Sequence, residues 1–431
     1  MSAFLPIRQK PTPYAFKKGD LLVLFGELFS RGYANGLVEE AEKCGMTIVR
    51  ATVGRRDENG QLRALTNEEA ETIPKPFINV PLEAGFDLEP DQTGVSPAEH
   101  LKSIKLSEWQ TAKIPIENLE ASRKKGRERF KTQTQNFLKE LDKYVKPGHH
   151  VHFAHLMAGG VPRCKIVMPV MNRVFKGLGD RFIPSETFWT SGLGKVLELN
   201  FHEVTAETFN ILVTESTPLR ERIQRDGGHV SYVAYGYHGT ETMVNDKLRW
   251  QGYGPYIQAW AKLALEDYSI HWSKKGVASC VYNCPEILTN SSSLFQGLEI
   301  AVYNLIRSFK KDFPSHPLTK EIMTEAQSVL KEGVELNDVF KLVDQLFNAP
   351  ETKQMSSFDL WPQHSTKEQL AMTLGISDQI IALHKDEKKL MTAHLSELIF
   401  RACGYIMLHD GYKPQFPVAW IGHDVVVQSL V

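Results

Sequence analysis

The sequence predicts a doubly wound α/β fold on a parallel sheet, followed by a mainly helical C-terminal extension. From residue 21 to about residue 290, short apolar runs that end in small residues alternate with segments of helical periodicity. This alternation is typical of a parallel sheet with helices on both faces. Beyond residue 310 the strand signals nearly vanish. The chain has 431 residues, 42% of them hydrophobic, so it can form one large domain or two of ordinary size.

A strand, a helix and a second strand are predicted at the start of this pattern. Residues 21–26, "LLVLFG", are a short apolar run of the kind that is buried on both faces of a parallel sheet. The apolar residues of the next segment recur at helical spacing: Leu37, Val38, Ala41 and Cys44. Gly45 ends this helix, and "MTIVRATV" at 46–53 resumes as a strand.

The later elements continue the alternation. Further strands are predicted within 77–85, 149–160, 227–239 and 276–289. Helices are predicted within 117–145, 196–217, 256–272 and 291–313. Residues 316–410 have mainly helical patterns, and we expect a final strand or an arm within 412–431.

Charge and cysteine content exclude several classes of function. Lys plus Arg number 50 and Asp plus Glu 51, so the whole chain has no electrostatic attraction for nucleic acid or an acidic membrane. The five cysteines form no CxxC pair and suggest no disulfide framework. No apolar run of about 18 residues and no signal-like N-terminus is present. We therefore expect a cytoplasmic protein without a membrane span.

A glycine-bearing turn follows the first predicted strand. Gly26 is followed by five residues, Gly32, three residues and Gly36, which is not the common GxGxxG dinucleotide pattern. Glycines at a helix N-terminus let the backbone approach a phosphate. On spacing alone the turn is either a pyrophosphate cradle or a tight loop.

This turn resembles the one in enoyl-acyl-carrier-protein reductases of the short-chain dehydrogenase/reductase superfamily. In that family the first strand ends in glycine, and five residues precede a tripeptide that Gly32-Tyr33-Ala34 would occupy here. Three later segments match in the correct order: "YHGTE" at 237–241, "AKLALEDYS" at 261–269 and "NCPEILT" at 283–289. The family carries serine where Gly32 stands, so a side-chain hydroxyl is lost and the backbone amide is kept.

The resemblance implies a domain organisation. Residues 1–20 would be an N-terminal arm, and residues 21–310 a Rossmann-like reductase domain with insertions near 90–145 and 164–190. Residues 311–431 would be a mainly helical region packed on that domain. The family usually associates through its long helices, so a homo-oligomer is expected.

The resemblance also implies a catalytic tyrosine and lysine, and Lys262 matches the lysine. The family places the tyrosine four or seven residues before the lysine, but Gln258 and Pro255 occupy those positions. Tyr253, nine residues before Lys262, has the spacing of a long-chain subgroup that includes trans-2-enoyl-CoA reductases, and we favour it over Tyr256. Tyr256 lies about 240° round an ideal helix from Lys262, unless the helix starts after it. Tyr237 is a candidate for a second hydroxyl.

A nicotinamide cofactor follows from the same resemblance. The expected cofactor-binding residues are Gly26, Gly32, Tyr33, Gly36, Arg55, Arg56, Lys262 and Thr289. An acidic residue at the end of the second strand would bind the ribose hydroxyls of NADH, whereas arginine would meet the 2′-phosphate of NADPH. Arg55 and Arg56 therefore favour NADPH over NADH.

Two functions remain open at this point. The leading hypothesis is an NAD(P)H-dependent reductase of an enoyl or related acyl thioester, a small-molecule substrate, without a metal. The alternative is a catalytically degenerate scaffold or protein-binding module, because both the turn and the tyrosine-lysine motif depart from the family. The histidines of "GHHVHFAH" at 149–155 have no carboxylate motif beside them and are expected to be structural.

Overall fold

The structure is a computed structural model that describes residues 4–252, 256–290, 292 and 297–431. In this part of the chain, eight strands form one sheet in which every neighbouring pair is parallel. The strands of the sheet are β1 (Phe4–Ile7), β2 (Leu21–Phe25), β3 (Thr47–Thr52), β6 (Phe77–Pro81), β7 (Val151–His155), β8 (Val230–Tyr235), β11 (Ala278–Asn283) and β12 (Val418–Ile421). Two antiparallel hairpins contain β4 (Arg55–Arg56) with β5 (Leu62–Arg63), and β9 (Thr240–Val244) with β10 (Lys247–Gln251).

Helices connect the strands and build the C-terminal region. In the first half they are α1 (Tyr33–Lys43), α2 (Asn67–Glu71), α3 (Pro97–Lys102), α4 (Leu119–Asp142), α5 (Val167–Lys176), α6 (Ser185–Thr190), α7 (Gly192–Phe201), α8 (Thr208–Glu215) and α9 (Thr217–Arg225). In the second half they are α10 (Ala259–Lys274), α11 (Leu298–Asp312), α12 (Pro317–Ser328), α13 (Leu336–Asn348), α14 (Lys367–Ala382), α15 (Thr392–Gly411) and α16 (His423–Leu430). None of the helices in the described ranges has the length and apolar character needed to cross a membrane.

The strand order confirms the predicted doubly wound fold. The sheet runs β1-β12-β11-β8-β7-β2-β3-β6, so the order reverses between β2 and β7. Loops that leave neighbouring strands at such a point separate to opposite faces of the sheet and open a crevice at the carboxyl ends of the strands.

Alternating side chains of β2 show why the sheet is covered on both faces. Leu22 and Leu24 belong to the core that contains α1, α11 and α15. Leu21, Val23 and Phe25 belong to the opposite core, with α4, α8 and α10. All five are fully or almost fully buried, as expected for a strand in the middle of a parallel sheet.

Both ends of the chain complete the sheet. β1 pairs with β12, with Phe4 opposite Val418 and Ile7 opposite Ile421. β12 also pairs with β11. The expected final strand within 412–431 is therefore present, and four residues of the expected N-terminal arm form the edge strand beside it.

A close contact between two helices fixes the position of α1. A Cβ atom on Gly36 would lie 1.9 Å from the carbonyl oxygen of Phe400, and one on Gly404 would lie 2.1 Å from the carbonyl carbon of Gly36. Only glycines allow α1 and α15 to approach this closely. The C-terminal region therefore holds the helix that begins at the glycine-bearing turn.

The insertion at 90–145 contains the long helix that its alternating charges predict. Besides the apolar residues that α4 packs against the sheet, the helix forms buried ion pairs. Arg123 and Arg127 of α4 both form ion pairs with Glu203, whose side chain is 3% exposed. Glu203 lies in a π-helical turn, His202–Glu207, between α7 and α8. The three segments form one helical path in the region where a single helix was predicted within 196–217.

Two of the histidines that were predicted to be structural make specific hydrogen bonds. His152 in β7 shares a hydrogen bond with Ser231, with 2.7 Å between Nδ1 and Oγ. His155 shares one with Thr208, with 2.8 Å between Nε2 and Oγ1. Burial lowers the pKa of each imidazole to about 3, so both are neutral in the folded protein at neutral pH.

Candidate active site

A crevice opens at the carboxyl ends of β2, β7, β8 and β11, where the strand order reverses. Its walls come from the turn after β2, the loop after β7, the ends of β8 and β11 and the start of α10. Its lining residues include Glu27, Gly32, Tyr33, Tyr235, Tyr237, Tyr256, Lys262, Glu286 and Thr289. Ligands bind at this position in doubly wound sheets.

The glycine-bearing turn fits a pyrophosphate. Helix α1 begins at Tyr33, and no side-chain hydrogen bond caps its N-terminus at Gly32. The N-terminal backbone amides of a helix carry partial positive charge and attract phosphate oxygens. A Cβ atom on Gly32 would meet no protein atom within 4 Å, so packing within the protein does not require a glycine there. The backbone of Gly32 is therefore open to the crevice.

The loop after β11 is attached to this turn. The Tyr33 hydroxyl donates to the carbonyl of Pro285 at 2.6 Å, and the Arg31 amide donates to the Asn290 side chain at 2.9 Å. From the other side, the Leu288 amide donates to the Ser396 hydroxyl at 2.8 Å. The loop that carries Glu286 and Thr289 is therefore held between α1 and α15.

Lys262 lies in the first turn of α10 and its side chain is buried. Its Nζ donates to the carbonyl oxygen of Tyr235 at 2.6 Å. Burial lowers the pKa of the ammonium group to about 8. The group is still mostly protonated at neutral pH, so it places a positive charge in the crevice.

Tyr256 lies before α10, which begins at Ala259, so the rotation of an ideal helix does not fix its direction relative to Lys262. Its ring stacks on Tyr237, with 3.8 Å between centroids and 23° between planes. Burial raises the pKa of its hydroxyl. The two tyrosines therefore form one aromatic wall.

Glu286 completes this wall. Its Oε1 accepts a hydrogen bond from the Tyr237 hydroxyl at 2.5 Å. Burial raises the pKa of the Glu286 carboxyl to about 7. A carboxyl that is half protonated at neutral pH, beside a tyrosine hydroxyl, is typical of proton-transfer sites.

A second cavity lies on the other side of the wall formed by Tyr237, Tyr256 and Glu286, because these three residues line both spaces. Its apolar lining comes largely from α11, α13 and α14: Ile300, Ala301, Leu346, Phe347 and Leu370. Thr240, Thr242, Gln251 and His423 add polar groups from the β9–β10 hairpin and α16. We call this space the acyl cavity. The C-terminal helices thus build a chamber beside the crevice.

Paired charges lie beside Glu27, which lines both the crevice and a neighbouring cavity that Glu83 lines as well; we call this side of the crevice its outer end. Arg55 donates to both carboxylate oxygens of Glu27, at 2.9 and 3.0 Å. Glu27 also accepts from the Thr52 hydroxyl at 3.1 Å. Arg56 forms an ion pair with Glu83. Arg55 and Arg56, which follow β3 and form β4, therefore each have a carboxylate partner.

The structure brings six of the predicted site residues together on the crevice: Gly32, Tyr33, Tyr237, Tyr256, Lys262 and Thr289. The other predicted residues are Gly26, Gly36, Arg55, Arg56 and Tyr253. Gly26 has a φ of 127° at the end of β2, Gly36 packs against α15, and the two arginines are paired with glutamates. Tyr253, the favoured tyrosine, lies outside the described residues.

Sequence reasoning missed Glu286, Glu27 and Tyr235. Glu286 lies within the quoted "NCPEILT" segment. A single ionisable residue between apolar ones in a loop that leaves a buried strand was a usable signal. Glu27 directly follows the strand-ending glycine, but the sequence does not show that its carboxylate reaches Arg55.

Comparisons with known proteins agree with this geometry. The model of the family described as "Enoyl-acyl carrier protein reductase FabMG" matches residues 3–430. The apo structure of FabMG, an enoyl-acyl carrier protein reductase, is 42% identical, covers 99% of this chain and 98% of its own, and superposes with a TM-score of 0.95. An NADH-bound FabMG structure is 36% identical, covers the same shares of both chains, and has a TM-score of 0.79. A search of curated proteins finds no match.

These matches confirm the predicted fold, the resemblance to enoyl reductases and the expected nicotinamide cofactor. They favour an oxidoreductase over the alternative of a degenerate scaffold. The match extends over the crevice, the acyl cavity and the C-terminal helices together. The chain belongs to the FabMG family of enoyl-acyl carrier protein reductases.

Proposed function

We propose that the protein reduces the carbon–carbon double bond of an enoyl thioester carried by acyl carrier protein, with NADH preferred over NADPH. One observation carries the choice of cofactor: the ion pairs of Arg55 with Glu27 and of Arg56 with Glu83. The NADH-bound structure of a 36% identical relative supports it. This replaces the preference for NADPH that the two arginines suggested.

The paired charges act against a 2′-phosphate. That group would bring up to two negative charges toward the Glu27 carboxylate, which already pairs with Arg55. The ribose hydroxyls of NADH can instead donate to the Glu27 carboxylate, which the Thr52 hydroxyl and the Val53 amide orient. An acidic group at this end of the sheet serves NADH in other doubly wound folds.

The inner part of the crevice has the groups that the reduction needs. When bound, the cofactor supplies a hydride to the β-carbon of the substrate. Negative charge then develops on the thioester oxygen, where a hydroxyl of Tyr237 or Tyr256 stabilises it. The ammonium group of Lys262 would bind the cofactor ribose, and it adds positive charge nearby. The acyl cavity holds the hydrocarbon chain against Ile300, Leu346 and Leu370.

Titration with NADH and NADPH, followed by nicotinamide fluorescence and by melting temperature, tests this proposal. A ligand that binds only the folded state raises the melting temperature. We expect NADH to bind at least about tenfold more tightly than NADPH, a difference of about 1.4 kcal/mol. Equal affinity, or tighter binding of NADPH, would contradict the proposal.

An activity assay tests the chemistry separately. Oxidation of NADH is measured with crotonyl-CoA, a short enoyl thioester, and with butyryl-CoA, which lacks the double bond, as the control. We expect turnover with crotonyl-CoA only. Binding of NADH without turnover of any enoyl thioester would support the degenerate scaffold instead.

Homo-oligomerisation and a cytoplasmic location of the protein stay predictions. The first follows from the resemblance, and light scattering of the purified protein would check it. A single monomeric species at micromolar concentration would contradict it.

A further inference from the structure

We infer that Glu286 is the proton reservoir of the reduction and acts through the hydroxyl of Tyr237. This inference rests on the proposed function and adds to it the residue that replaces the proton delivered to the substrate. Three features carry it: the position of Glu286 in the wall between crevice and acyl cavity, its hydrogen bond to Tyr237, and the charges around it.

The position of Glu286 is set by contacts of its own loop. Pro285, the residue before it, accepts the hydrogen bond of Tyr33 from the start of α1. Leu288, two residues after it, donates to Ser396 of α15. Between these two anchors Oε1 of Glu286 lies 2.5 Å from the Tyr237 hydroxyl oxygen. A group held this way meets its partner without a conformational search, which is a requirement for fast proton transfer.

The surroundings favour a neutral Glu286. The groups that face it are Tyr237 from the loop after β8, Tyr256 from the segment before α10, and Glu299 from α11, while Lys262 and His423 lie on the walls of the two spaces. Burial is the largest cause of the raised pKa, the hydrogen bond from Tyr237 lowers the pKa, and the negative charge of Glu299 makes a smaller contribution that raises it. An ionised Glu286 would repel the enolate that develops beside it, so the neutral form is the one suited to the reduction.

The carboxyl of Glu286 alone supplies the proton that replaces the one given to the substrate. The hydride forms a new C–H bond at the β-carbon, and the electron pair of the double bond moves toward the thioester oxygen. The Tyr237 O–H bond breaks as its proton forms the C–H bond at the α-carbon. The resulting phenolate takes the proton of the Glu286 carboxyl, which requires the direction of their hydrogen bond to reverse. The Glu286 carboxylate then regains a proton from water, so one hydride and one proton are consumed per turnover.

Steady-state kinetics with NADH and crotonyl-CoA from pH 5.5 to 9 test the inference. We expect the kcat of the wild type to fall as the pH rises through about 7. Glu286→Gln keeps a hydrogen-bond acceptor for Tyr237 but has no proton to give. We expect this variant to lower kcat by about 10²-fold, with KM changed less than about threefold. The fall of kcat near pH 7 should also be absent in this variant.

A double variant separates a proton reservoir from a structural support. Tyr237→Phe with Glu286→Gln should be no slower than the slower single variant, because both remove the same relay. Wild-type kcat and an unchanged pH dependence of kcat in Glu286→Gln would overturn the inference.

A readout without turnover completes the test. Infrared difference spectra of the cofactor-free wild type should show a protonated carboxyl that titrates near pH 7 and is missing in Glu286→Gln. Its absence would overturn the inference even if Glu286→Gln folds poorly. Failure of the proposed function is distinguishable, because the wild type itself would then not oxidise NADH with any enoyl thioester.

Discussion

At the outer end of the crevice, Arg55 and Arg56 each have a glutamate partner, whereas at the inner wall Lys262 donates to a backbone carbonyl and Glu286 accepts from a tyrosine. Ion pairing lowers the pKa of Glu27 against the opposing effect of burial. At the inner wall, burial shifts the pKa of Lys262 down to about 8 and that of Glu286 up to about 7.

This comparison shows two uses of charge in one binding site. Compensated charges at the outer end have fixed protonation states, which suits recognition of a cofactor. Uncompensated ionisable groups at the inner wall titrate near neutral pH, which suits proton transfer and stabilisation of a developing charge. The three predictions below alter one end or the other, from the largest expected effect to the smallest.

Removal of the positive charge of Lys262 should have the largest effect, on kcat. Lys262→Met keeps the length of the side chain and removes its charge, so we expect kcat to fall by about 10²-fold or more and NADH to bind more weakly. The matched control is Lys274→Met, the same substitution on an exposed residue of the same helix, which should retain wild-type kinetics. Equal kcat for Lys262→Met and the control would show that the inner wall does not use this charge.

Removal of the glutamate that pairs with Arg55 should have an intermediate effect, on the choice of cofactor. Glu27→Gln removes the carboxylate that neutralises Arg55, so the ratio of NADPH to NADH affinity should rise by about tenfold or more. Fluorescence titration of both cofactors measures this ratio. Glu39→Gln, which breaks the ion pair with Arg401 away from the crevice, serves as the control. An unchanged ratio in Glu27→Gln would mean that the outer ion pairs do not choose the cofactor.

The dependence of stability on pH should differ between the two ends by a few degrees of melting temperature. The pKa of Glu286 rises from 4.5 to about 7 on folding, so its stability cost is absent below about pH 4.5 and complete above about pH 7. Glu286→Gln should therefore melt a few degrees above the wild type at pH 8 and at the same temperature near pH 4.5.

The contribution of Glu27 to stability should depend on pH with the opposite sign to that of Glu286. Its pKa is lowered in the folded protein, so it stabilises the fold above its unfolded pKa of 4.5, and this contribution is lost as the pH falls through the folded value. Glu27→Gln should melt below the wild type at pH 8, and the gap should narrow in acid. Melting curves from pH 4 to 8 measure both variants, and shifts of the same sign would contradict the comparison.

Much of the fold could be predicted because its elements are encoded by local patterns. The run 21–26 predicted β2, the alternating charges of 117–145 predicted α4, and the helix predicted within 256–272 overlaps α10, Ala259–Lys274. Each depends on side-chain periodicity within one segment. The hairpin of β9 and β10 was missed, although Asn245 and Asp246 adopt the left-handed conformation of its turn and both residue types favour such turns.

The candidate site could be predicted only in part. Lys262, Tyr237 and Thr289 were found because each lies in a segment that resembles a known family. Glu286 was missed because its importance comes from the hydroxyl of Tyr237, which is 49 residues away in the chain. Arg55 was interpreted as a phosphate ligand because its partner Glu27, 28 residues earlier, could not be placed beside it.

The sequence by itself determined the order of the sheet strands from β2 to β11, the position of the glycine-bearing turn and the lysine of the crevice, because periodicity and glycine chemistry act over a few residues. Only the tertiary structure decided that β1 pairs with β12 across the length of the chain, that the C-terminal helices enclose the acyl cavity, and that Arg55 and Arg56 each pair with a glutamate. The physical reason is that pairing, burial and the pKa shifts that follow from them depend on which distant segments meet, and neither spacing nor composition carries that information.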